Sequence, residues 1–171
     1  MTSLANLKLL PQPQQVTADS GAPYRPPAGT ALQLSTAGQA LGAIIQGEAA
    51  AQGLQLGGVT LGGDGWSFGI GSAAPAAEAL TVPDQREGYV LRITSGGIRA
   101  VAKDYRGLVY AWQTLKQILR ADAQSLPALT ISDFSKLPWR LYHLDLKGTR
   151  WNRQRLYSLI PLVAEMKLNG L

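Results

Sequence analysis

Residues 87–119 read EGYVLRITSGGIRAVAKDYRGLVYAWQTLKQIL, and this stretch decides the fold. Its first half holds two runs, 88–95 and 97–103, in which apolar and polar residues alternate as they do along half-buried strands. Ser95, Gly96 and Gly97 lie where the first run ends and the second begins, and glycine adopts the positive φ angles that tight hairpin turns require. The first half is therefore predicted to be a β-hairpin.

The second half of the stretch predicts an amphipathic helix. Asp104 is a residue type that caps helix starts, and the apolar residues after it recur at helical spacing. They are Tyr105, Leu108, Trp112, Leu115 and Leu119. A ligand site on this face would need polar groups on the same stripe, so we expect these side chains to pack in the core.

The residues before the hairpin predict an earlier strand and helix. Residues 10–27 are rich in Pro, Gln and Gly, which indicates an irregular lead-in. A strand is predicted at 30–35 from its alternating pattern. Thr36 follows as a candidate N-cap, and an Ala-rich helix is predicted to end at Gly53.

The glycine-rich segment GGDGWSFGIG, residues 62–71, has two interpretations. A phosphate-binding loop follows a strand and opens a helix, whereas this segment leads into a predicted strand at 66–72. A turn at Asp64 and Gly65 is therefore favoured. Together with a further strand at 54–61, these elements predict an α+β fold with one mostly antiparallel sheet.

Composition limits the class of protein. The chain has 171 residues, of which 46% are apolar and 16% charged, a balance typical of a domain with a buried core. The absence of cysteine and the single histidine, His143, exclude thiolate chemistry and a multi-histidine metal site. No apolar run reaches the roughly 20 residues of a membrane-spanning helix, and the start lacks the pattern of an export signal. We expect no membrane partner, no metal and no cofactor, and the compartment stays open.

The net charge of +5 comes from 16 basic and 11 acidic residues. The densest basic cluster is Lys147, Arg150, Arg153 and Arg155, with Trp151 as its one aromatic neighbour. Nucleic-acid grooves combine basic residues with stacking aromatics. We therefore expect a solvated surface here and no nucleic-acid partner.

The order of residues from 87 onward resembles the small domain that precedes the catalytic barrel in glycoside hydrolase family 20, the β-N-acetylhexosaminidases. In that family the domain's helix follows the pattern G-L-x-Y-(A/G)-x-Q-T-L-x-Q-(L/I), which this chain matches from Gly107 to Ile118. LLPQP at 9–13 also resembles the family's usual opening. The resemblance implies an α+β, zincin-like domain at 1–132, with a mostly antiparallel sheet and two helices on one face.

Residues 133–171 then resemble the start of a (β/α)8 barrel. The apolar run WRLYHLDL, 139–146, is expected to form the first barrel strand, because parallel strands covered on both faces are continuously apolar. Residues 153–167 are expected to form the first helix, and 168–171 to begin the second strand. The apolar face of that helix comprises Leu156, Leu159, Ile160, Val163 and Met166. Pro161 falls inside it, so we expect a kink or a later start.

The resemblance also implies site residues. Arg140 matches an arginine that holds hydroxyl groups of the terminal sugar, a task that suits the planar fork of donors in a guanidinium. A salt bridge at the barrel's edge is the structural alternative. Asp145 is the weaker candidate for a substrate contact, because a loop cap or an ion pair, with Lys147 as one partner, explains it equally well. His143 is expected to be packed and hydrogen-bonded rather than catalytic. Gly148 stands where the family usually has arginine, which leaves the local loop contacts open.

The family's reaction is retaining hydrolysis, in which the sugar's own acetamido oxygen attacks the anomeric carbon. An aspartate orients the acetamido group and a glutamate protonates the leaving oxygen. That pair belongs to the fourth barrel strand, so no catalytic residue is expected within these 171 residues, and the piece alone should be inactive. The implied partner is a glycan with a terminal N-acetylhexosamine. Self-association through exposed barrel residues is a further expectation.

Two other interpretations stay open at this point. The parent protein could be another barrel glycosidase with a similar preceding domain, of the O-GlcNAc-removing or α-glucuronidase kind. The chain could instead be a non-catalytic module that binds a glycan or a protein. For the small domain itself we expect a supporting role without a ligand, because core positions account for its aromatic residues.

Overall fold

The structure is a computed structural model that describes residues 7–59, 65–71, 80–145, 147–148 and 151–171. It separates into two compact units, residues 1–135 and residues 136–171. The turn expected at Asp64 lies outside the described residues. Among the residues that the structure describes, no helix has the length and apolar character needed to cross a membrane.

The described part of the first unit holds a seven-stranded sheet and two α-helices. The strands are β1 Gln15–Ala18, β2 Thr30–Leu34, β3 Leu56–Val59, β4 Gly65–Ile70, β5 Tyr89–Thr94, β6 Gly97–Ala102 and β7 Leu129–Asp133. The helices are α1 Gly42–Ala50, which a 3-10 helix at Thr36–Leu41 precedes, and α2 Tyr105–Ala121. The hairpin and the helix predicted from residues 87–119 are both present.

The predicted α+β class is confirmed, but the sheet is more evenly mixed than the expected, mostly antiparallel arrangement. Its strand order is β1-β7-β5-β6-β4-β2-β3. The pairs β1–β7, β7–β5 and β5–β6 are antiparallel, whereas β6–β4, β4–β2 and β2–β3 are parallel. One reason lies in α1, which carries the chain from the end of β2 back to the start of β3. Such a crossover makes the two strands parallel.

The core lies where the two helices meet the sheet. Trp112 of α2 sits with its ring centroid 6.4 Å from that of Trp66 and 6.3 Å from that of Phe68, both on β4. All three side chains are fully buried.

Tyr105 departs from the prediction, because it is 39% exposed at the first position of α2, while Tyr110 is buried instead. The lead-in also covers α2, since Gln117 exchanges two hydrogen bonds of 2.8 Å with the backbone of Leu10.

The start of α2 is fixed by contacts with the turn before β5. Asp104 is the N-cap, as predicted, and its Oδ1 accepts a hydrogen bond from the backbone N–H of Gly107 at 2.8 Å. Its Oδ2 accepts one from the backbone N–H of Glu87 at 3.2 Å. A Cβ on Gly107 would lie 2.7 Å from the carbonyl oxygen of Gly88, a separation that real Cβ atoms do not show. Glycine is therefore required for α2 to approach the turn this closely.

The start of the earlier helix differs from the prediction. Thr36 lies within the 3-10 helix instead of capping it, and the N-cap residue is Ser35, whose side chain makes no capping hydrogen bond. Ser35 Oγ instead accepts from the backbone N–H of Ile70 at the end of β4. This long-range bond takes the hydroxyl away from the helix start. Gly53 follows α1 with a φ of 80°, the left-handed conformation expected after a helix end.

The described residues of the second unit form one helix, α3, at Arg153–Glu165. Asn152 caps its start, because Oδ1 accepts from the backbone N–H of Arg155 at 2.7 Å. Pro161 lies inside the helix, which neither starts later nor ends before it. No residue of α3 is buried, and Ile160 of the expected apolar face is 53% exposed. The other four residues of that face are only partly buried, because the described residues of this unit offer few side chains to pack against.

Among the described residues of the strand expected at 139–146, which exclude residue 146, the structure has a single parallel bridge, between Leu141 and Gly170. The backbone N–H of Tyr142 donates to the carbonyl of Gly170 at 3.0 Å, and that of Asn169 donates to the carbonyl of Arg140 at 2.9 Å. The segments on either side of α3 thus run parallel, as the strands of a βαβ unit do. Within the described residues the first segment has one neighbouring segment, whereas a barrel strand pairs on both edges.

Replacing Gly107 by Ala should lower the free energy of unfolding by about 1–3 kcal/mol, because the added methyl overlaps the carbonyl of Gly88 and forces α2 to move. Gly47→Ala in α1 is the matched control, since nothing lies within 4 Å of its added Cβ. It should raise stability by about 0.5–1 kcal/mol. Urea unfolding of the two variants measures both effects, and equal stabilisation by both would contradict the close contact.

Candidate functional site

The side chain of Arg140 donates hydrogen bonds to backbone carbonyls that come before and after it in the sequence. Its Nε donates to the carbonyl oxygen of Lys167 at 2.8 Å, and its Nη1 donates to that of Leu137 at 2.6 Å. Its backbone N–H donates to Oδ1 of Asn169 at 2.9 Å. A guanidinium carries five N–H donors, and the two carbonyl bonds use two of them while fixing the plane of the group.

The other two polar residues predicted near this site are exposed. Asp145 caps its own loop, because Oδ1 accepts from the backbone N–H of Lys147 at 2.8 Å. His143 is exposed, so the expectation of a packed histidine is wrong for this chain. The reason is that the described residues of the second unit provide no layer to cover it.

A groove of about 490 Å³ lies beside His143 in the second unit. Its described lining residues are Leu141, Tyr142, His143, Leu144, Gly170 and Leu171. Arg140 and Asp145 are not among them. The structure therefore places Arg140 next to Asn169 and Lys167. His143 lies on the groove, and Asp145 caps its own loop.

A buried polar cluster in the first unit was not predicted from the sequence. The hydroxyl of Tyr89 donates to Oδ2 of Asp133 at 2.9 Å and lies 2.7 Å from Oγ1 of Thr114. Because the single phenolic proton goes to Asp133, Thr114 donates to Tyr89. The backbone N–H of Gln14 donates to the other oxygen of Asp133 at 3.1 Å. These bonds join the lead-in, β5, β7 and α2.

Burial, and secondarily the negative charge of Asp133, raises the pKa of Tyr89 well above its usual value of 10.0. Shifted pKa values often mark active sites, but both side chains are almost fully buried, so a substrate could not reach them. The cluster is structural. Tyr89 lies on the inward face of β5, and Asp133 pairs with it across the sheet. The positions of these two polar residues within their strands are the sequence signal that could have revealed the cluster.

A second polar cluster, which is only partly buried, connects α1 with α2. Nζ of Lys116, a residue only 5% exposed, lies 3.0 Å from Oε1 of Glu48. Nε1 of Trp112 donates to Oε2 of the same carboxylate. Each acceptor oxygen of Glu48 thus has a donor on α2, so the buried ammonium of Lys116 is paired with a carboxylate that is itself 37% exposed. Among the described residues, no cluster of three or more His, Cys, Asp and Glu side chains could hold a metal ion.

A family model described as "Glycosyl hydrolase family 20, domain 2" matches residues 6–134 of the chain. The chain belongs to this family. The matched range covers the whole sheet together with α1 and α2, so the two polar clusters belong to the family 20 domain. Arg140 and Asp145 lie beyond the matched range.

Two curated relatives carry the name beta-hexosaminidase. That of Vibrio vulnificus is 27% identical over 81 residues, which are 47% of this chain and 10% of that protein. That of Porphyromonas gingivalis (strain ATCC BAA-308 / W83) is 27% identical over 108 residues, 58% of this chain and 14% of that protein. The family 20 chain therefore spans only a small part of the length of these relatives.

A solved structure, Streptomyces plicatus N-acetyl-beta-hexosaminidase in complex with thio-NAglucal, is also similar to the family 20 chain. The two superpose with a TM-score of 0.74 at 25% sequence identity. The match covers 94% of this chain and 33% of the Streptomyces chain.

Replacing Tyr89 by Phe should lower the free energy of unfolding at neutral pH by about 1–3 kcal/mol, because Asp133 loses a buried donor. The pH dependence should change as well. A raised pKa in the folded state stabilises the fold below pH 10, and this contribution is lost as the pH rises further. The variant should therefore lose less stability above pH 10 than the unsubstituted chain.

Denaturant unfolding between pH 7 and pH 11 measures both effects. Tyr105→Phe is the control, because this tyrosine is partly exposed and its removal should change stability by less than about 0.5 kcal/mol. An unchanged alkaline slope in Tyr89→Phe would show that another group causes it.

Proposed function

We propose that the chain is the N-terminal part of a glycosidase that acts on terminal β-linked N-acetylhexosamine by substrate-assisted, retaining hydrolysis. The match of residues 6–134 to domain 2 of family 20 carries this proposal. The names of the two curated relatives and the thio-NAglucal complex of the Streptomyces enzyme support it. On this proposal, residues 1–132 are the supporting domain and residues 133–171 begin the (β/α)8 barrel.

The structure of the second unit is compatible with a barrel start. Two parallel segments flank α3, which is the arrangement of one βαβ unit. The exposed apolar residues of the unit include Trp139, Leu141, Tyr157, Ile160 and Leu162, and a barrel would cover such side chains with its other strands and helices.

The proposed role of Arg140 is to hold hydroxyl groups of the terminal sugar. Two carbonyl acceptors, those of Lys167 and Leu137, fix its guanidinium before a substrate arrives. A fixed donor group loses little conformational entropy on binding, so more of the hydrogen-bond energy is available for affinity. Asp145 remains the weaker candidate, because its Oδ1 is already engaged with the backbone of Lys147.

The proposed mechanism takes its nucleophile from the substrate. The 2-acetamido oxygen attacks the anomeric carbon as the glycosidic bond breaks, and a carboxylic acid protonates the leaving oxygen. We assign this acid and the aspartate that orients the acetamido group to barrel residues outside this chain. The piece by itself is therefore proposed to be inactive.

A glycan-binding module is the less favoured function for the first unit. Carbohydrate recognition commonly uses aromatic faces, whereas Trp66, Phe68, Tyr89 and Trp112 of this unit are fully buried. Their burial accounts for them as core residues and favours a supporting role.

The proposal predicts that the chain extended through a complete barrel hydrolyses a chromogenic β-N-acetylglucosaminide, while the 171-residue chain does not. Both samples are assayed at matched concentration, and circular dichroism establishes that each is folded. Activity of the short chain would contradict the assignment of the acid to the missing barrel residues. Inactivity of the extended chain on N-acetylglucosaminides and N-acetylgalactosaminides would contradict the proposed substrate class.

Within the extended chain, Arg140→Lys should lower kcat/KM about 10–100-fold, because a hydrogen bond from a charged donor contributes about 1.5–3 kcal/mol and lysine cannot reproduce the fork. The control is Arg153→Lys, an exposed position at the start of α3, which should change kcat/KM by less than about 2-fold. Equal effects at the two positions would argue against a substrate contact by Arg140.

A further inference from the structure

Asn169 makes three hydrogen bonds to the segment that carries Arg140. Its side-chain Oδ1 accepts from the backbone N–H of Arg140 at 2.9 Å, and its Nδ2 donates to the carbonyl of Pro138 at 2.8 Å. Its backbone N–H donates to the carbonyl of Arg140 at 2.9 Å. The orientation of the amide is determined by these partners, because the backbone nitrogen can only donate and the carbonyl can only accept.

The residue two positions earlier completes the same support. Lys167 follows α3 with a φ of 54°, and the N–H groups of Lys167 and Leu168 donate to the carbonyls of Ala164 and Val163 at 3.0 Å. This is a helix-ending motif with a left-handed residue, a place where glycine is usual. It directs the carbonyl of Lys167 to Nε of Arg140. The end of α3 therefore determines where Asn169 and the carbonyl of Lys167 meet Arg140.

Little apolar packing holds the segment before Arg140 in place. Trp139 is 72% exposed and Leu137 is 64% exposed, so neither anchors the backbone within the described chain. The hydrogen bonds from Asn169 supply the positional restraint instead. An amide is suited to this, since aspartate would lack the donor for Pro138 and an apolar side chain would lack both groups.

We propose that Asn169 is a positioning residue that sets the backbone of residues 138–140 so that Arg140 meets the sugar. The inference rests on the proposed role of Arg140 in substrate binding. Asn169 itself touches no substrate and acts only through Arg140. Its removal should therefore impair the enzyme by displacing the guanidinium, in the same way as a loss of Arg140 itself.

The test is a double-mutant cycle in the chain extended through a complete barrel. Asn169→Ala should lower kcat/KM about 10–100-fold, in line with the effect of displacing a positioned group by about 1 Å. Asn169→Asp keeps the acceptor for Arg140 and should fall between Ala and the unsubstituted enzyme. In an Arg140→Ala background, Asn169→Ala should change kcat/KM by less than about 3-fold, because the residue through which it acts is gone.

The matched control is Asn152→Ala at the other end of α3. Asn152 likewise bonds a backbone N–H through Oδ1, but its partner is Arg155, away from the segment of Arg140. It should change kcat/KM by less than about 2-fold even where it lowers the unfolding midpoint as much as Asn169→Ala does. An equal loss of activity from both variants, or an Asn169 effect that is the same with and without Arg140, would overturn the inference.

Failure of the proposed function gives a different result from failure of this inference. If the extended, unsubstituted chain hydrolyses no N-acetylhexosaminide, the substrate proposal fails. The urea unfolding midpoints of the unsubstituted chain, Asn169→Ala, Arg140→Ala and the double variant are then compared. If the midpoint shifts of Asn169→Ala and Arg140→Ala are not additive, the two residues are coupled and Asn169 positions Arg140. Additive shifts would overturn the inference.

Discussion

The close approach of α2 to the turn at Glu87 and Gly88 is the constraint on which the rest of the first unit depends. The absent side chain of Gly107 allows it, and the two oxygens of Asp104 fix it by bonding Gly107 and Glu87. Because a helix is rigid over its length, this one contact also sets the positions of residues farther along. Trp112 reaches the core against β4, and Gln117 meets the backbone of Leu10.

The charged and polar groups buried beneath α2 follow from the same placement. Lys116 and Trp112 lie one turn apart and both bond Glu48 of α1, while Thr114 bonds the hydroxyl of Tyr89. A charged pair of which one member is buried often adds little net stability, because desolvation of that member offsets the attraction. Its effect here is on geometry, since a rotation of either helix would leave the Lys116 ammonium without its carboxylate.

Local signals in the sequence were sufficient for the hairpin and α2. The turn at Gly96 and Gly97 and the cap at Asp104 act through neighbouring residues, so they can be read without the fold. The parallel pairings in the other half of the sheet could not be predicted in this way, because β4 pairs with β2 and β6, which are distant from it in sequence. Tyr105 was placed wrongly since spacing alone does not show that the first residue of a helix can project past the edge of the core. At the candidate site, Arg140 is a prediction from the resemblance. Asn169, which we propose as its positioning residue, was not predicted, because its hydrogen-bond partners Pro138 and Arg140 lie far from it in the sequence.

The strand order has a consequence for folding during synthesis. β7 lies between β1 and β5, so the earliest strand joins the sheet only through the last one. A ribosome that has released residues up to α2 has exposed β2 to β6 with their helices, but β1 still has no partner among them. β1 can therefore join the sheet only after β7 has emerged, although Leu10 can bond Gln117 of α2 before that. Because the second unit follows β7 directly in the sequence, the sheet of the first unit is completed only when residues 136–171 are about to leave the ribosome.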